Sequence, residues 1–170
     1  MHRHYHARVQ LFIIRHAKAE DRNAETWPDD TARPLTRAGA REFERVAKRL
    51  RRWQPEVDLV LASGWTRAWQ TAAILRARAK WPKPAQTKLL ETSDPASIPA
   101  ILQFLSEQPQ NAKLALVGHE PVLGMLVTQL CGSGGVAVAM RKGAVAWLEG
   151  DPGSMVLAGL LVPAMLRPRQ

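Results

Sequence analysis

The sequence predicts an α/β fold built on a mostly parallel sheet, and three observations carry that prediction. Strand-like and helix-like segments alternate through most of the chain, the pattern of strands joined by helical crossovers. Three strand-like segments, residues 9–14, 58–62 and 114–117, are short and apolar, as strands of a parallel sheet buried on both faces are. At 170 residues the chain fits one domain with a sizeable core, and a second would be cramped.

Residues 1–8 read as a flexible polar tail and residues 9–170 as the domain. The first strand, 9–14, leads into a loop with Asp21, Asn23, Pro28, Asp29, Asp30 and Pro34. Thr36 then serves as N-cap of a helix to about Trp53, because its side chain can accept from the first free N–H groups. The second strand, 58–62, precedes a helix over 66–80 that stops before Pro82. Residues 85–90 form a possible third strand with Glu91 at its end. Ile98, Ile101, Leu102 and Leu105 have helical period, so 97–107 is a helix. The strand 114–117 follows, then a helix from near Pro121, where proline is tolerated in the first turn. Strands near 144–148 and 155–161, joined by the turn residues Gly150, Asp151, Pro152 and Gly153, close the chain.

Apolar residues make up 46% and charged residues 23%, the balance of an ordinary folded protein. The formal charge of +9 attracts anions without saying which. Much of it lies in Arg37, Arg41, Arg45, Lys48, Arg49, Arg51 and Arg52, at helical spacing around Phe43, Val46, Ala47 and Leu50. We read this as a solvated helix face and expect no specific nucleic acid, since no aromatics interleave with the cations. Residues 155–166 contain Gly159 and Pro163 and fall short of the roughly 20 residues a membrane helix needs, so they read as a buried strand. Residues 11–14 are too short for a signal-peptide core. No membrane partner is therefore expected, and the expected location is the cytoplasm. The single Cys131 has no possible disulfide partner in the chain, which suits a reducing compartment, and it reads as a small core residue.

The chemistry gathers where apolar strands end. Arg15 and His16 follow the first strand, Ser63 to Arg67 the second, and Gly118 and His119 the fourth. In a parallel sheet these ends meet at one edge, where ligands bind. Of five histidines, His2, His4 and His6 belong to the tail, which reads as a mobile terminus or over-extended start, not a chelating tag. His16 and His119 are left, both at strand ends. Two imidazoles with two guanidiniums describe a phosphoryl site: arginine presents a planar fork to phosphate oxygens, and imidazole attacks phosphorus or donates to its oxygens near neutral pH. No GxxxxGK[ST] loop is present, which argues against a nucleoside-triphosphate enzyme.

These residues also carry a resemblance. Residues 11–17, with Arg15-His16-Ala17, resemble the RHG signature of the histidine phosphatase superfamily. Arg33-Pro34-Leu35-Thr36 with Gly39 is similar to its RPLTxxG segment. Ser63, Arg67, Ala68, Gln70, Thr71 and Ala72 match SxxxRAxQTA, and Val117-Gly118-His119-Glu120-Pro121 matches VGHxP. The resemblance implies a three-layer αβα sandwich of the phosphoglycerate mutase type and a metal-independent, cofactor-free phosphatase. Arg67, Glu91 and His119 lie only 24 and 28 positions apart, which leaves little chain for a large cap insertion. The chain is therefore most similar to the SixA-type phosphohistidine phosphatases, and this implies a phosphorylated protein substrate, such as a histidine-containing phosphotransfer domain, with inorganic phosphate as product.

By that resemblance His16 takes the phosphoryl group while Arg15, Arg67 and His119 hold its oxygens, and a backbone carbonyl fixes the His16 tautomer. Arg33 is a candidate third phosphate contact or an ordinary loop arginine. Glu91, in a loose LxE context, is a candidate general acid or a solvated loop residue. Ala17 replaces the glycine of RHG and would be strained at positive φ. Trp65 is placed to line the cleft or pack in the core, and Lys142 to border the pocket or face solvent. Two other readings stay open: a phosphomonoesterase or mutase for a small metabolite, and a silent phosphate- or nucleic-acid-binding module.

Overall fold

A computed structural model describes residues 9–132 and 137–166; the expected tail over residues 1–8 lies outside the described residues. The strands are β1 (Val9–Arg15), β2 (Leu59–Ala62), β3 (Ala85–Gln86), β4 (Lys113–Gly118), β5 (Val145–Gly150) and β6 (Val156–Leu161), and the α-helices are α1 (Arg37–Trp53), α2 (Thr66–Ile74), α3 (Ile98–Ser106) and α4 (Val122–Leu130). They form one sheet in the order β3-β2-β4-β1-β5-β6. The first four strands of that order are parallel; β5 runs antiparallel to β1, and β6 antiparallel to β5.

Strand β1 shows why the sequence reads as it does. Leu11, Phe12, Ile13 and Ile14 are all fully buried, because successive side chains point to opposite faces and both faces are covered. Leu11 and Ile13 join the core formed with α3 and α4. Phe12 and Ile14 join the core formed with α1 and α2. The result is the expected three-layer sandwich.

Helix α1 starts as expected. Thr36 Oγ1 accepts from the Gly39 N–H at 2.8 Å, while the Thr36 N–H donates to the Lys18 carbonyl at 3.0 Å. Gly39 is required by close approach: a Cβ there would overlap the Lys18 carbonyl oxygen. The basic residues of α1 face solvent, and Phe43, Val46, Ala47 and Leu50 face the sheet.

Four expectations are corrected. The third strand is only two residues long, because Thr87 Oγ1 accepts from the Leu89 N–H at 3.3 Å and starts a 3-10 turn over Lys88–Leu90 that buries Leu90. The helix expected over 66–80 is α2 followed by a π-helical turn, Leu75–Ala79, that ends at Lys80 with φ 65°. The last strand is an exposed edge with Val156 61% accessible, since no further strand or helix covers its outward side chains among the described residues. Cys131 follows the last turn of α4 and is exposed, not a core residue.

Candidate active site

The parallel register brings three strand ends to one level. Arg15 pairs with Gly118, and Ala62 with Val117. The ladder continues one step further: the His16 N–H donates to the Gly118 carbonyl at 3.1 Å and the Ser63 N–H to the Val117 carbonyl at 2.9 Å. His16, Ser63 and His119 thus leave the sheet side by side, and helix α2 starts just beyond with Arg67 in its first turn. Thr71 locks that turn to the first strand end. Its Oγ1 donates to the Arg67 carbonyl at 2.7 Å and accepts from the Ala17 N–H at 3.0 Å. Ala17 has no positive φ, so alanine is unstrained there.

The structure brings His16, Arg15, Arg67 and His119 together. The two imidazole centroids are 5.2 Å apart, the Trp65 ring lies 4.3 Å from His119, and the Arg67 guanidinium carbon sits 4.8 Å from the Trp65 ring centroid. Trp65 therefore packs within the site, as an aromatic platform that a guanidinium can stack on. His16, Arg67 and His119 are all buried, Arg67 at 2% exposure.

Hydrogen bonds fix both rings. His16 Nδ1 donates to the Ala17 carbonyl at 2.7 Å, which leaves Nε2 with the lone pair. Burial, then Arg67, Arg15 and Lys142, depress the His16 imidazole to about 3 against the opposing pull of the Ala17 carbonyl. His119 Nε2 lies 2.9 Å from Ser63 Oγ, which also accepts from the Trp65 N–H at 3.2 Å. With the Ser63 proton on Nε2, the imidazole proton of His119 sits on Nδ1. Burial, then His16, Arg67 and Arg15, depress His119 to about 2.

Each arginine is tied back by protein groups. Arg15 Nη1 donates to the Met140 carbonyl at 2.8 Å, and Arg67 Nη1 and Nη2 donate to the Asp30 carbonyl at 2.7 Å and to Asp30 Oδ2 at 3.0 Å. What they lack is informative. Arg15 Nε, Arg67 Nε and His119 Nδ1 are buried without a partner, although unpaired buried donors are costly and rare. Three of the five such atoms among the described residues belong to this cluster.

A cavity of about 250 Å³ opens on the cluster, lined by Arg15, His16, Arg33 and His119, with Glu20, Asp21, Arg22, Glu120 and Lys142 at its wall. Arg67 is not among the lining residues. Lys142 is both exposed and at the border. A neighbouring cavity of about 890 Å³ shares Arg15 and Glu120 and continues along α4 past Met125 to Val138 and Met140. Among the described residues no cluster of three or more His, Cys, Asp or Glu is arranged to hold a metal ion, and no helix is long and apolar enough to cross a membrane.

Two further expected site residues are engaged by protein groups. Arg33 lines the cavity, but its Nε donates to Asp30 Oδ1 at 2.8 Å and its Nη1 to the Glu20 carbonyl at 2.6 Å. Glu91 Oε1 accepts from the Gly64 N–H at 3.2 Å and from Gln86 Nε2, and Oε2 pairs with Lys88 at 2.7 Å. Lys88 and Gln86 hold this carboxyl below its usual range, the opposite of what a proton donor needs. Sequence reasoning missed Asp30, which meets both Arg33 and Arg67. Its one signal was that two arginines entering a buried site need a counter-charge.

An α/β sheet at whose parallel strand ends two imidazoles meet two arginines, Arg67 buried and Arg15 half-buried, defines a phosphoryl-handling protein of the phosphoglycerate mutase fold. The chain belongs to the histidine phosphatase superfamily, in its SixA-type branch, and is a phosphatase by class. The model of the superfamily's branch 1 matches residues 11–93. Phosphohistidine phosphatase SixA of Escherichia coli is 32% identical over 125 residues, 72% of this chain and 74% of that protein. An uncharacterized protein of Picosynechococcus is 37% identical over 118 residues, 68% of this chain and 69% of its own length. Among solved structures, the protein histidine phosphatase SixA complexed with tungstate superposes with TM-score 0.80 at 29% identity, covering 93% of this chain and 99% of that one. Phosphoglycerate mutase from Bacillus anthracis, 13% identical with TM-score 0.72 over 95% of this chain and 96% of that one, shares the fold.

Proposed function

We propose that this chain is a metal-independent phosphohistidine phosphatase that moves a phosphoryl group from a histidine of another protein onto His16 and then to water. The observation that carries this reading is the set of three buried, unpartnered nitrogens, Arg15 Nε, Arg67 Nε and His119 Nδ1, the last a donor when the Ser63 hydroxyl donates to Nε2, beside a His16 whose Nδ1 is held by the Ala17 carbonyl so that Nε2 keeps its lone pair. Donors held in place before the substrate arrives need no reorganisation when charge develops, which is how such sites accelerate phosphoryl transfer.

In the first step His16 Nε2 bonds to phosphorus as the bond from phosphorus to the substrate imidazole breaks. That imidazole, protonated on its other nitrogen, leaves neutral. Water then attacks the phosphorylated His16, the new N–P bond breaks, and inorganic phosphate departs. A phosphorylated imidazole carries its own leaving-group proton, so the route asks nothing of Glu91, which we assign to holding the turn at Gly64. The arginines supply the positive charge, so turnover should survive prolonged chelation.

A protein substrate is favoured by the short intervals around Glu91 and by the larger cavity that continues from Arg15 along α4. A phosphohistidine on a helix arrives with neighbours three and four residues away on the same face, and the adjoining apolar groove has room for them. The SixA likeness points the same way. The test is to incubate the protein with a phosphorylated histidine-containing phosphotransfer domain and follow released phosphate, quenching part of the mixture in base. Turnover with acid-labile phosphate on His16 is expected. Turnover of sugar phosphates alone would favour a metabolite phosphatase, and salt-dependent nucleic-acid binding without turnover would revive the silent module.

A further inference from the structure

Asp30 sits in a 3-10 turn, Asp30–Ala32, capped by Asp29, in the loop between β1 and α1. Three guanidinium groups converge on its carboxylate: Arg33 at 2.8 Å, Arg67 at 3.0 Å and Arg22 at 3.7 Å. Arg33 and Arg67 are nearly inaccessible, whereas the Asp30 side chain keeps 42% of its surface. These contacts differ in which edge of each arginine they use, and the difference matters for an anion. A guanidinium has five N–H donors in a rigid plane. Asp30 takes the end edge of Arg67, with Nη1 on its carbonyl and Nη2 on Oδ2. That leaves the side edge, Nε with the second N–H of Nη2, and Nε is the buried atom without a partner. The side edge offers the parallel pair of donors that binds phosphate bidentately. For Arg33 the side edge is the one already taken, with Nε on Asp30 Oδ1 and Nη2 3.5 Å from Oδ2.

We infer that Asp30 is a positioning residue that selects which edge of Arg67 faces the phosphoryl group, and that Arg33 serves by holding Asp30 in place. The inference rests on the phosphoryl-site reading above. One carboxylate divides two neighbouring arginines into one that keeps its phosphate-binding edge and one that gives it up. Its charge opposes an incoming anion, so if Asp30 acted by charge alone, its removal would tighten oxyanion binding. If it acts through Arg67, removal weakens binding, because the guanidinium is then free to turn its end edge inward or to swing towards solvent.

The test is a double-mutant cycle read by calorimetric titration with tungstate, which needs no knowledge of the physiological substrate. Asp30→Ala is expected to weaken tungstate binding roughly tenfold in the wild-type background, within the range for residues sharing one hydrogen-bond network. In an Arg67→Ala background the same change should cost less than about twofold. Asp30→Asn, which keeps an acceptor oxygen without the charge, should restore most of the affinity, and Arg33→Ala should reproduce part of the Asp30→Ala loss only while Asp30 is present. Should Asp30→Ala fail to fold, the Asn variant carries the same cycle, with a smaller loss expected that again vanishes without Arg67. Unchanged or tighter binding in Asp30→Ala, or, where that variant does not fold, in Asp30→Asn, overturns the inference, as does an equal loss with and without Arg67. Failure of the wild-type protein to bind tungstate at all would instead overturn the phosphoryl-site reading, so the two failures are separable.

Discussion

At the scale of the residue, the site works by having donors fixed before the substrate enters. Arg67 is the clearest case, since it is buried, stacked on Trp65 and held by Asp30. Removing one preorganised donor to developing charge costs about 2.7–4 kcal/mol, or roughly 10² to 10³ in kcat. Arg67→Ala should show a loss of that size, and Arg67→Lys should recover little, because an ammonium lacks the planar fork. Arg76→Ala removes the same charge from the exposed end of the same helical segment and should leave kcat within about twofold. Equal losses at both positions would mean that the general basic surface, not these four residues, binds the anion. The four central residues were legible in the sequence because each follows an apolar run that could only be a strand, and strand ends of a parallel sheet converge. Asp30 was not legible. A loop carboxylate has no period, and its meaning depends on which arginines the tertiary fold turns towards it. Glu91 misled for the converse reason: a position after the third strand was read without seeing Lys88 and Gln86 closing on it.

At the scale of the element, the nucleophile loop is held by neighbours that do no chemistry. Lys18, two residues beyond His16, receives the Thr36 N–H, and its carbonyl lies against Gly39 in the first turn of α1. The RPLTxxG segment is thus the seam between α1 and the active-site loop. Gly39→Ala forces a Cβ into the Lys18 carbonyl. Backbone cannot yield as a flexible side chain does, so the cost should be about 1–3 kcal/mol, the usual range for overpacking, measured by urea unfolding. Loss of activity should exceed what the unfolded fraction explains, because the displaced strand of loop carries Ala17 and His16. Thermal and chemical stability equal to wild type would show that the seam is loose. Most elements could be read from period and capping, and Thr36 is the case where the cap itself fixed the boundary. The edges could not. Leu89 and Leu90 look like strand residues until Thr87 turns the chain, and residues 156–161 look buried until the sheet is found to end there, with Val156 and Leu160 outward and Gly159 placed so that a Cβ would lie 3.4 Å from the edge of Trp53.

At the scale of the whole molecule, enclosing two imidazoles among arginines has a consequence for stability against acid. An exposed histidine titrates near 6.5, whereas burial, and the cations around them, depress His16 to about 3 and His119 to about 2. Above pH 6.5 both rings are neutral in the folded and unfolded states, and they contribute no proton linkage. As pH falls below 6.5 the unfolded chain gains two protons that the folded protein refuses, so the unfolded state is favoured and stability declines. Each histidine contributes at most about 1.4 kcal/mol per pH unit, hence about 2.7 kcal/mol for the pair. Asp29, Asp30 and Glu91, whose pKa values are also lowered, add their own losses only lower, near the carboxylate range, so pH 6 to 5 isolates the histidines. Urea unfolding across that interval should therefore show stability falling with acid, with a shallower slope in His16→Ala and a shallower one again when His119 is also replaced. Saturating tungstate should flatten the wild-type slope, since a bound anion favours the protonated rings and raises both pKa values. Over the same interval kcat/KM, which reports the free enzyme, should lack a limb from His16, because the nucleophile is already unprotonated. An acid limb near 6.5 that disappears in no other variant, together with stability that holds from pH 7 to 5, would mean that the two imidazoles are open to water and titrate as ordinary surface histidines.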